Sequence, residues 1–381
     1  MTTRRLAALG LTLAATGCFT LPNRIEGPNY SEVDPPYVAE RAPRIESAPE
    51  LPALAEPERL IQRLIFVGDA GVPMESEPVL ASLGRWGDVY PERTTVLFLG
   101  DNVYPHGIEA DAVAEGEEIL RKQIAATRAA RIFIPGNHDW GRPGTDRLLR
   151  QQSYLDASQI EFVPRDGCPG PVLRPIVPAS DGGRGISAIV FDIDPWYFGT
   201  EHVESCPDSR TPEDLGRQLG ELLDAHPEQW LIVGTHHPLQ TGGPHGGYTR
   251  GALADFVTAV IRLIFGTLQD TYEEGYREIM TPVEAALAKS PPTLYAAGHD
   301  HNLQVLEGQG LATFQVVSGA GSTERVRGGH VTHLESTLFA HGHAGFVAVD
   351  FLRSGDGERA VLHVVETASD TPVFSMDVET R

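Results

Sequence analysis

Five short clusters of metal-ligating residues recur along the chain in a fixed order. They are G-D-A-G at Gly68–Gly71, G-D-N-V-Y at Gly100–Tyr104, G-N-H-D at Gly136–Asp139, G-T-H-H-P at Gly234–Pro238 and G-H-D-H-N at Gly298–Asn302. Oxygen and imidazole donors of this kind suit hard or borderline cations. Two cations held about 3.5–4 Å apart need a bridging carboxylate and terminal ligands arriving from several directions. Asp69, Asp101, Asn137, His236, His299 and His301 supply such a set. On a continuing strand His299 and His301 would share a face; a tight turn would aim them at two neighbouring ions. The chemistry implied is hydrolysis assisted by a metal pair. Any one of these residues taken alone has a bland reading, since Gly-Asp and Asn mark ordinary turns.

Each cluster closes an apolar run: LIFV, VLFL, RIFIP, WLIV and LYAA. Ligands at the carboxyl ends of several strands are how an open sheet gathers ions at one edge. Strands are expected at Arg63–Val67, Thr95–Leu99, Arg131–Ile134, Gly185–Ile193 and Gln229–Val233. Helices are expected at about Glu75–Val89, Ala110–Ala130, Thr145–Ala157, Glu213–Ala225, Ala252–Leu268 and Glu273–Lys289. After Thr293 the chain reads mostly as strand: TLYAAG, NLQVLE, LATFQVVSG, GFVAVDF, RAVLHVVET and PVFSMDV. Alternating βα units followed by strands predict a layered α/β domain. The run FVTAVIRLIFGTL is interrupted by Arg262 and too short to span a bilayer, so a buried or lid-forming helix is expected there.

With these motifs in place, the chain resembles the calcineurin-type metallophosphoesterase superfamily. Within it the purple acid phosphatases, especially the small tartrate-resistant kind, are the most similar. Gly71 stands where the wider superfamily usually has a histidine ligand, and Tyr104 stands where the purple branch has a tyrosinate. G-H-D-H-N-L-Q at Gly298–Gln304 and V-V-S-G-A-G at Val316–Gly321 are similar to that branch too. The resemblance implies a four-layer αββα sandwich, two mixed β-sheets flanked by helices. It implies Fe(III) on Asp69, Asp101, Tyr104 and His301, and Fe(II), Zn(II) or Mn(II) on Asp101, Asn137, His236 and His299. It implies phosphate monoester hydrolysis on a small phosphorylated substrate. His138 resembles the histidine that stabilises the transferring phosphoryl group or protonates the leaving group. His245, nine residues after His236, matches a second such histidine. Asp139 is placed to orient His138. A phosphodiesterase acting on nucleotides or lipid headgroups, and a non-catalytic surface lipoprotein, are the competing readings.

The formal net charge of -22 makes the surface repel nucleic acid and anionic lipid headgroups, so a phosphate site must be locally positive. The amino terminus reads as an export signal, with Arg4 and Arg5 before the apolar run Leu6–Ala15. Ala15-Thr16-Gly17-Cys18 resembles a bacterial lipoprotein cleavage box, with Ala15 where a large aliphatic residue is usual. The expected organisation is a signal over residues 1–18, a Pro-rich linker over 19–58 and a catalytic domain over 59–381. Lipid on Cys18 would hold an exported protein at the bacterial cell envelope, its attachment to a membrane. Cys168 and Cys206 then remain, either as one disulfide or as two free thiols. His330, His333, His341 and His343 read as a solvated loop near the active-site edge, with a flexible metal-scavenging loop as the alternative. Arg325 and Arg327 follow V-V-S-G-A-G and could reach substrate, but surface arginines are common and both are left out of the expected site.

Overall fold

The computed structural model describes residues 36–45, 59–72, 77–180, 183–247, 269–326, 331–354, 357–367 and 371–378. Two mixed sheets stack face to face. The first runs in the order β1 (Tyr37–Val38), β12 (Thr337–His341), β10 (Leu303–Glu307), β11 (Phe314–Ser318), β9 (Leu294–Ala297), β8 (Trp230–Gly234), β7 (Ile186–Val190) and β6 (Val172–Val177). The second runs β15 (Pro372–Val378), β14 (Gly357–Glu366), β13 (Gly345–Ser354), β2 (Leu60–Val67), β3 (Thr94–Leu99), β4 (Ala130–Ile134) and β5 (Glu161–Phe162). β2, β3, β4 and β5 are parallel, as are β7, β8, β9 and β11. The remaining strands pair antiparallel at the flanks.

Strand periodicity builds the layers. Leu64, Phe66, Leu97 and Leu99 face the core between the sheets, where they meet Ile186, Ala188, Ile232 and Val316. Their neighbours Ile65, Val67, Val96 and Phe98 face outward and pack on Val79, Leu83, Trp86 and Leu120 of the flanking helices Pro78–Gly87 and Val113–Ala125. On the far side Ile189, Leu231, Val233 and Tyr295 pack on Leu215, Leu219, Val283 and Leu287 of helices Pro212–Ala225 and Glu274–Lys289. These buried strands carry apolar residues on both faces, which is why they read as continuous hydrophobic runs. The αββα sandwich is thus the fold.

Residues 36–45 correct the linker expectation over 19–58. β1 pairs with β12, Ala39 is buried, and Arg44 bridges to Met376. Pro and charge in this stretch mask a short edge strand that needs only two ladder residues. β5, β6 and β12 are further strands that the pattern hides, being short or, in β6, interrupted by Pro175. The signal, Cys18 and the helix expected at Ala252–Leu268 lie outside the described residues. Among the described residues no helix is long and apolar enough to cross a membrane. Cys168 and Cys206 are joined as a disulfide, which decides between the two thiol readings.

A charged network sits beneath β2, β13 and β14. Arg63 donates to both carboxylate oxygens of Asp350, at 2.6 and 2.7 Å, with both side chains fully buried. His363 lies beside them, its Nδ1 2.8 Å from Ser375 Oγ. Burial pushes the His363 imidazole down to about 4, against the pull of Asp350. A histidine with a folded pKa below its unfolded value of about 6.5 stabilises the fold fully above that value. The contribution is lost as pH falls toward the folded pKa, because the unfolded chain takes up the proton first. Urea unfolding at pH 7 and pH 4 should therefore show about 3 kcal/mol lost through this group. His363→Gln should flatten that part of the pH dependence; an unchanged slope would contradict it.

Candidate functional site

The five clusters meet where the parallel strands of both sheets end. Asp69 follows β2, Asp101 follows β3, and Asn137 opens a helical turn, Asn137–Trp140, after β4. His236 follows β8, and His299 and His301 follow β9. Asp69, Asp101 and His299 all hold left-handed backbone, with φ of 63°, 55° and 69°. For residues with a Cβ this conformation is costly, and it concentrates where function requires it. Here it turns the chain sharply off the strand end and aims each side chain across the sheet edge. Gly100 has φ of 89°, and a Cβ on it would lie 2.7 Å from His236 Nδ1, so the approach of the two sheets at this point requires glycine.

The side chains form two donor sets that share Asp101. In the first, Tyr104 Oη lies 2.8 Å from Asp69 Oδ1, 2.8 Å from Asp101 Oδ2 and 3.3 Å from His301 Nε2. His301 Nε2 is 3.3 Å from Asp69 Oδ1. In the second, His236 Nε2 lies 3.0 Å from Asn137 Oδ1, 3.2 Å from His299 Nδ1 and 3.4 Å from Asp101 Oδ1. His299 Nδ1 is 3.2 Å from Asn137 Oδ1. Donors spaced about 2.8–3.4 Å apart fit the edges of a polyhedron around a cation about 2.0–2.2 Å from each, the usual bond to a borderline ion.

Proton counting supports the same fit. One Tyr104 proton faces two carboxylate oxygens and an imidazole nitrogen. His236 Nδ1 lies 2.8 Å from the Leu99 carbonyl oxygen, so it carries the proton and donates. Its Nε2 then faces Asn137 Oδ1, Asp101 Oδ1 and His299 Nδ1. Nearly all of this is buried: Asp69, Asp101 and His236 are at most 1% exposed. The donor atoms of these three lie within 4.8 Å of one another. Crowded, desolvated lone pairs without protons to separate them are what a cation relieves. Burial, with Asp101 and Asp69 nearby, pushes the Tyr104 hydroxyl well above its ordinary range. Burial also pushes the Asp101 carboxyl up, but the attraction of His236 and His138 in their protonated forms and two hydrogen bonds outweigh it and hold it below the usual carboxylate range.

Four groups flank the donor sets. The His138 amide donates to Asp101 Oδ1 at 2.8 Å, its ring Nδ1 donates to the Pro105 carbonyl at 2.6 Å, and its Nε2 lies 4.0 Å from Asp101 Oδ2. The expected role of Asp139 in orienting His138 is corrected here. Asp139 accepts from the amides of Gly136, Asn102 and Val103 and from the Asn102 side chain, all at 2.9–3.0 Å. As the third residue of its helical turn it points back at the turn's start, away from the His138 ring. It therefore clamps the second and third clusters together. His245 pairs through Nδ1 with Asp270 Oδ1 at 2.8 Å, and its ring sits 3.9 Å from that of His299. Burial lowers the His245 pKa, but the Asp270 bond and surrounding carboxylates push it up to about 9. His237 is buried, its Nε2 3.3 Å from Gln269 Oε1.

Arg325 and Asp270 join the site without a motif to announce them. The Arg325 guanidinium carbon lies 3.5 Å from the centroid of the Tyr104 ring, which corrects its reading as a surface arginine. Asp270 is 25 residues from His245, and no spacing pattern links the two. His341 is a further correction to the histidine-rich loop: it is buried on β12, while His343 is exposed and His330 and Arg327 lie outside the described residues.

Residues 63–303 match the family described as calcineurin-like phosphoesterase. Among solved structures, one described as GAP50, the anchor in the inner membrane complex of Plasmodium, is similar with a TM-score of 0.52 at 17% identity. The likeness covers 84% of this chain and 90% of that one, and at this identity it concerns the fold alone.

The clamp role of Asp139 has a direct consequence. Asp139→Asn puts an amide N–H against amide donors and should loosen the 101–104 and 136–138 segments. Zinc affinity of the second donor set should fall by about 10–100-fold, as when orienting partners of ligands are removed. Titration against a competing chelator measures this, and wild-type affinity in the variant would contradict the role.

Proposed function

The chain belongs to the calcineurin-like phosphoesterase family, and on that basis we propose that it is a phosphate monoester hydrolase of the purple acid phosphatase type. Metal-dependent phosphoester hydrolysis is the family's chemistry. The finer reading is carried by one observation: Tyr104 Oη stands inside the first donor set, 2.8 Å from both Asp69 and Asp101. The alternative ligand position is closed, because a Cβ on Gly71 would lie 2.2 Å from the Asn102 backbone. Three oxygen donors and one imidazole suit a hard Fe(III); two imidazoles, an amide and a shared carboxylate suit Fe(II), Zn(II) or Mn(II).

A metal pair would supply Lewis-acid charge for the phosphoryl oxygens and lower the pKa of water at the site. The protein's own groups do the rest. Asp101 ties the two donor sets to one spacing. Asp69, Tyr104 and His301 complete one set, and Asn137, His236 and His299 the other. His138 holds its Nδ1 proton on Pro105, leaving Nε2 to face the reacting centre as a proton carrier for the leaving group. His245, kept protonated by Asp270, presents a positive donor to a phosphate oxygen beside the second set. Arg325 adds positive charge over Tyr104, the local reversal of sign that a phosphate site needs on an acidic protein.

The Cys168–Cys206 disulfide supports an exported protein, with Cys18 as the proposed lipid attachment at the bacterial cell envelope. The Plasmodium protein is described as an anchor, but filled donor positions favour catalysis over a purely anchoring role for this chain.

The soluble form beginning after Cys18 should be coloured by charge transfer from Tyr104 to iron, and Tyr104→Phe should bleach it while the fold persists. It should cleave a phenyl phosphate monoester faster than a bis-phenyl diester, and His138→Ala should slow the monoester reaction about 10²–10⁴-fold. A colourless, iron-free active protein would place it outside the purple branch; a faster diester rate would make it a phosphodiesterase.

A further inference from the structure

Another group of metal-ligating side chains lies where the chain crosses from one sheet to the other. His341 ends β12 in the eight-stranded sheet, and Glu366 ends β14 in the seven-stranded sheet. His343 sits in the short link between β12 and β13. Glu366 receives both imidazoles: His341 Nδ1 meets its Oε1, and His343 Nδ1 lies 3.3 Å from its Oε2. The two rings are 3.9 Å apart and only 32° from parallel. Suitable donor atoms of all three residues lie within 4.8 Å of one another.

We propose that His341, His343 and Glu366 form a site for one further divalent cation of the zinc class, sharing no residue with the sets centred on Asp101. Three features of the geometry support it. The spacing His-Gly-His brings two imidazoles side by side, with both Nδ1 atoms turned to one carboxylate. Two imidazoles and a carboxylate are a donor set that zinc and similar borderline cations take, leaving a remaining position for water. His343 is 45% exposed at its side chain, which gives that position access to solvent, while His341 and Glu366 are at most 9% exposed.

The alternative is a pair of ordinary histidine–carboxylate hydrogen bonds. A cation would instead take the facing donor atoms of all three residues at one point.

Such an ion would tie the two sheets together at the point where the chain passes between them. β12 also pairs with β10, Leu303 opposite His341, two residues beyond His301. Strand pairing therefore sets the His341 end of the site opposite Leu303, just past the donors after β9.

The test is zinc binding by the chelator-stripped chain in a background where the shared centre is disabled, Asp101→Ala with His236→Ala. This separates the result from the phosphatase reading. One equivalent of zinc should bind, and His343→Ala or Glu366→Gln should weaken it at least tenfold. Wild-type protein should bind one equivalent of zinc more than the His343→Ala single variant, which should retain hydrolysis. Zinc should raise the Tm of the disabled background but not of that background carrying His343→Ala. No bound equivalent in the disabled background, or binding and Tm unaffected by His343→Ala and Glu366→Gln, would overturn the site.

Discussion

The organising constraint is a crowd of lone pairs removed from water. Asp69, Asp101, Tyr104, Asn137, His236, His299 and His301 converge with too few protons to separate them. Left alone, two buried carboxylates this close would repel each other and would each demand solvation that the site does not offer. A pair of cations would turn the same crowding into coordination. Asp101 is central because it sends one oxygen toward each set and has its own backbone in strained left-handed geometry. Removing any other donor thins one set, whereas Asp101 links both.

The sandwich exists in a form that permits this convergence. Parallel strands in each sheet end at one common edge, so loops from both sheets reach the same point. Apolar residues on both faces of β2, β3, β8 and β9 hold those ends in place against the cores. The glycines before the ligands allow the sheets to approach, as at Gly100 against His236. Around the donors, His138, His245 with Asp270, and Arg325 add groups that carry protons or positive charge. On a chain with net charge of -22, this patch is local by construction.

Much of this arrangement is legible in the sequence. The strands that carry the ligands are strongly apolar, and each ends in a cluster whose residue types name its chemistry. All seven ligand candidates meet at one place because periodicity positions the strands and turn residues mark their ends. What escapes a reading of the residues is non-local or short. Asp270 finds His245 across 25 residues, and Arg325 reaches Tyr104 from a loop after β11. Asp139 adjoins His138 in the chain, yet the helical turn aims it at amides of another cluster. β1 and β12 are edge pieces that their polar and proline-rich surroundings hide, and His341 is hidden with its strand.

Whether one carboxylate joins two cations can be seen by anomalous diffraction from metal-loaded crystals, recorded at the absorption edges of iron and zinc. Two peaks should appear about 3.5–4 Å apart, one bonded to Tyr104 and His301, the other to His236 and His299, with Asp101 on both. A single peak at this centre, or two peaks with Asp101 bonded to neither, would refute the shared carboxylate.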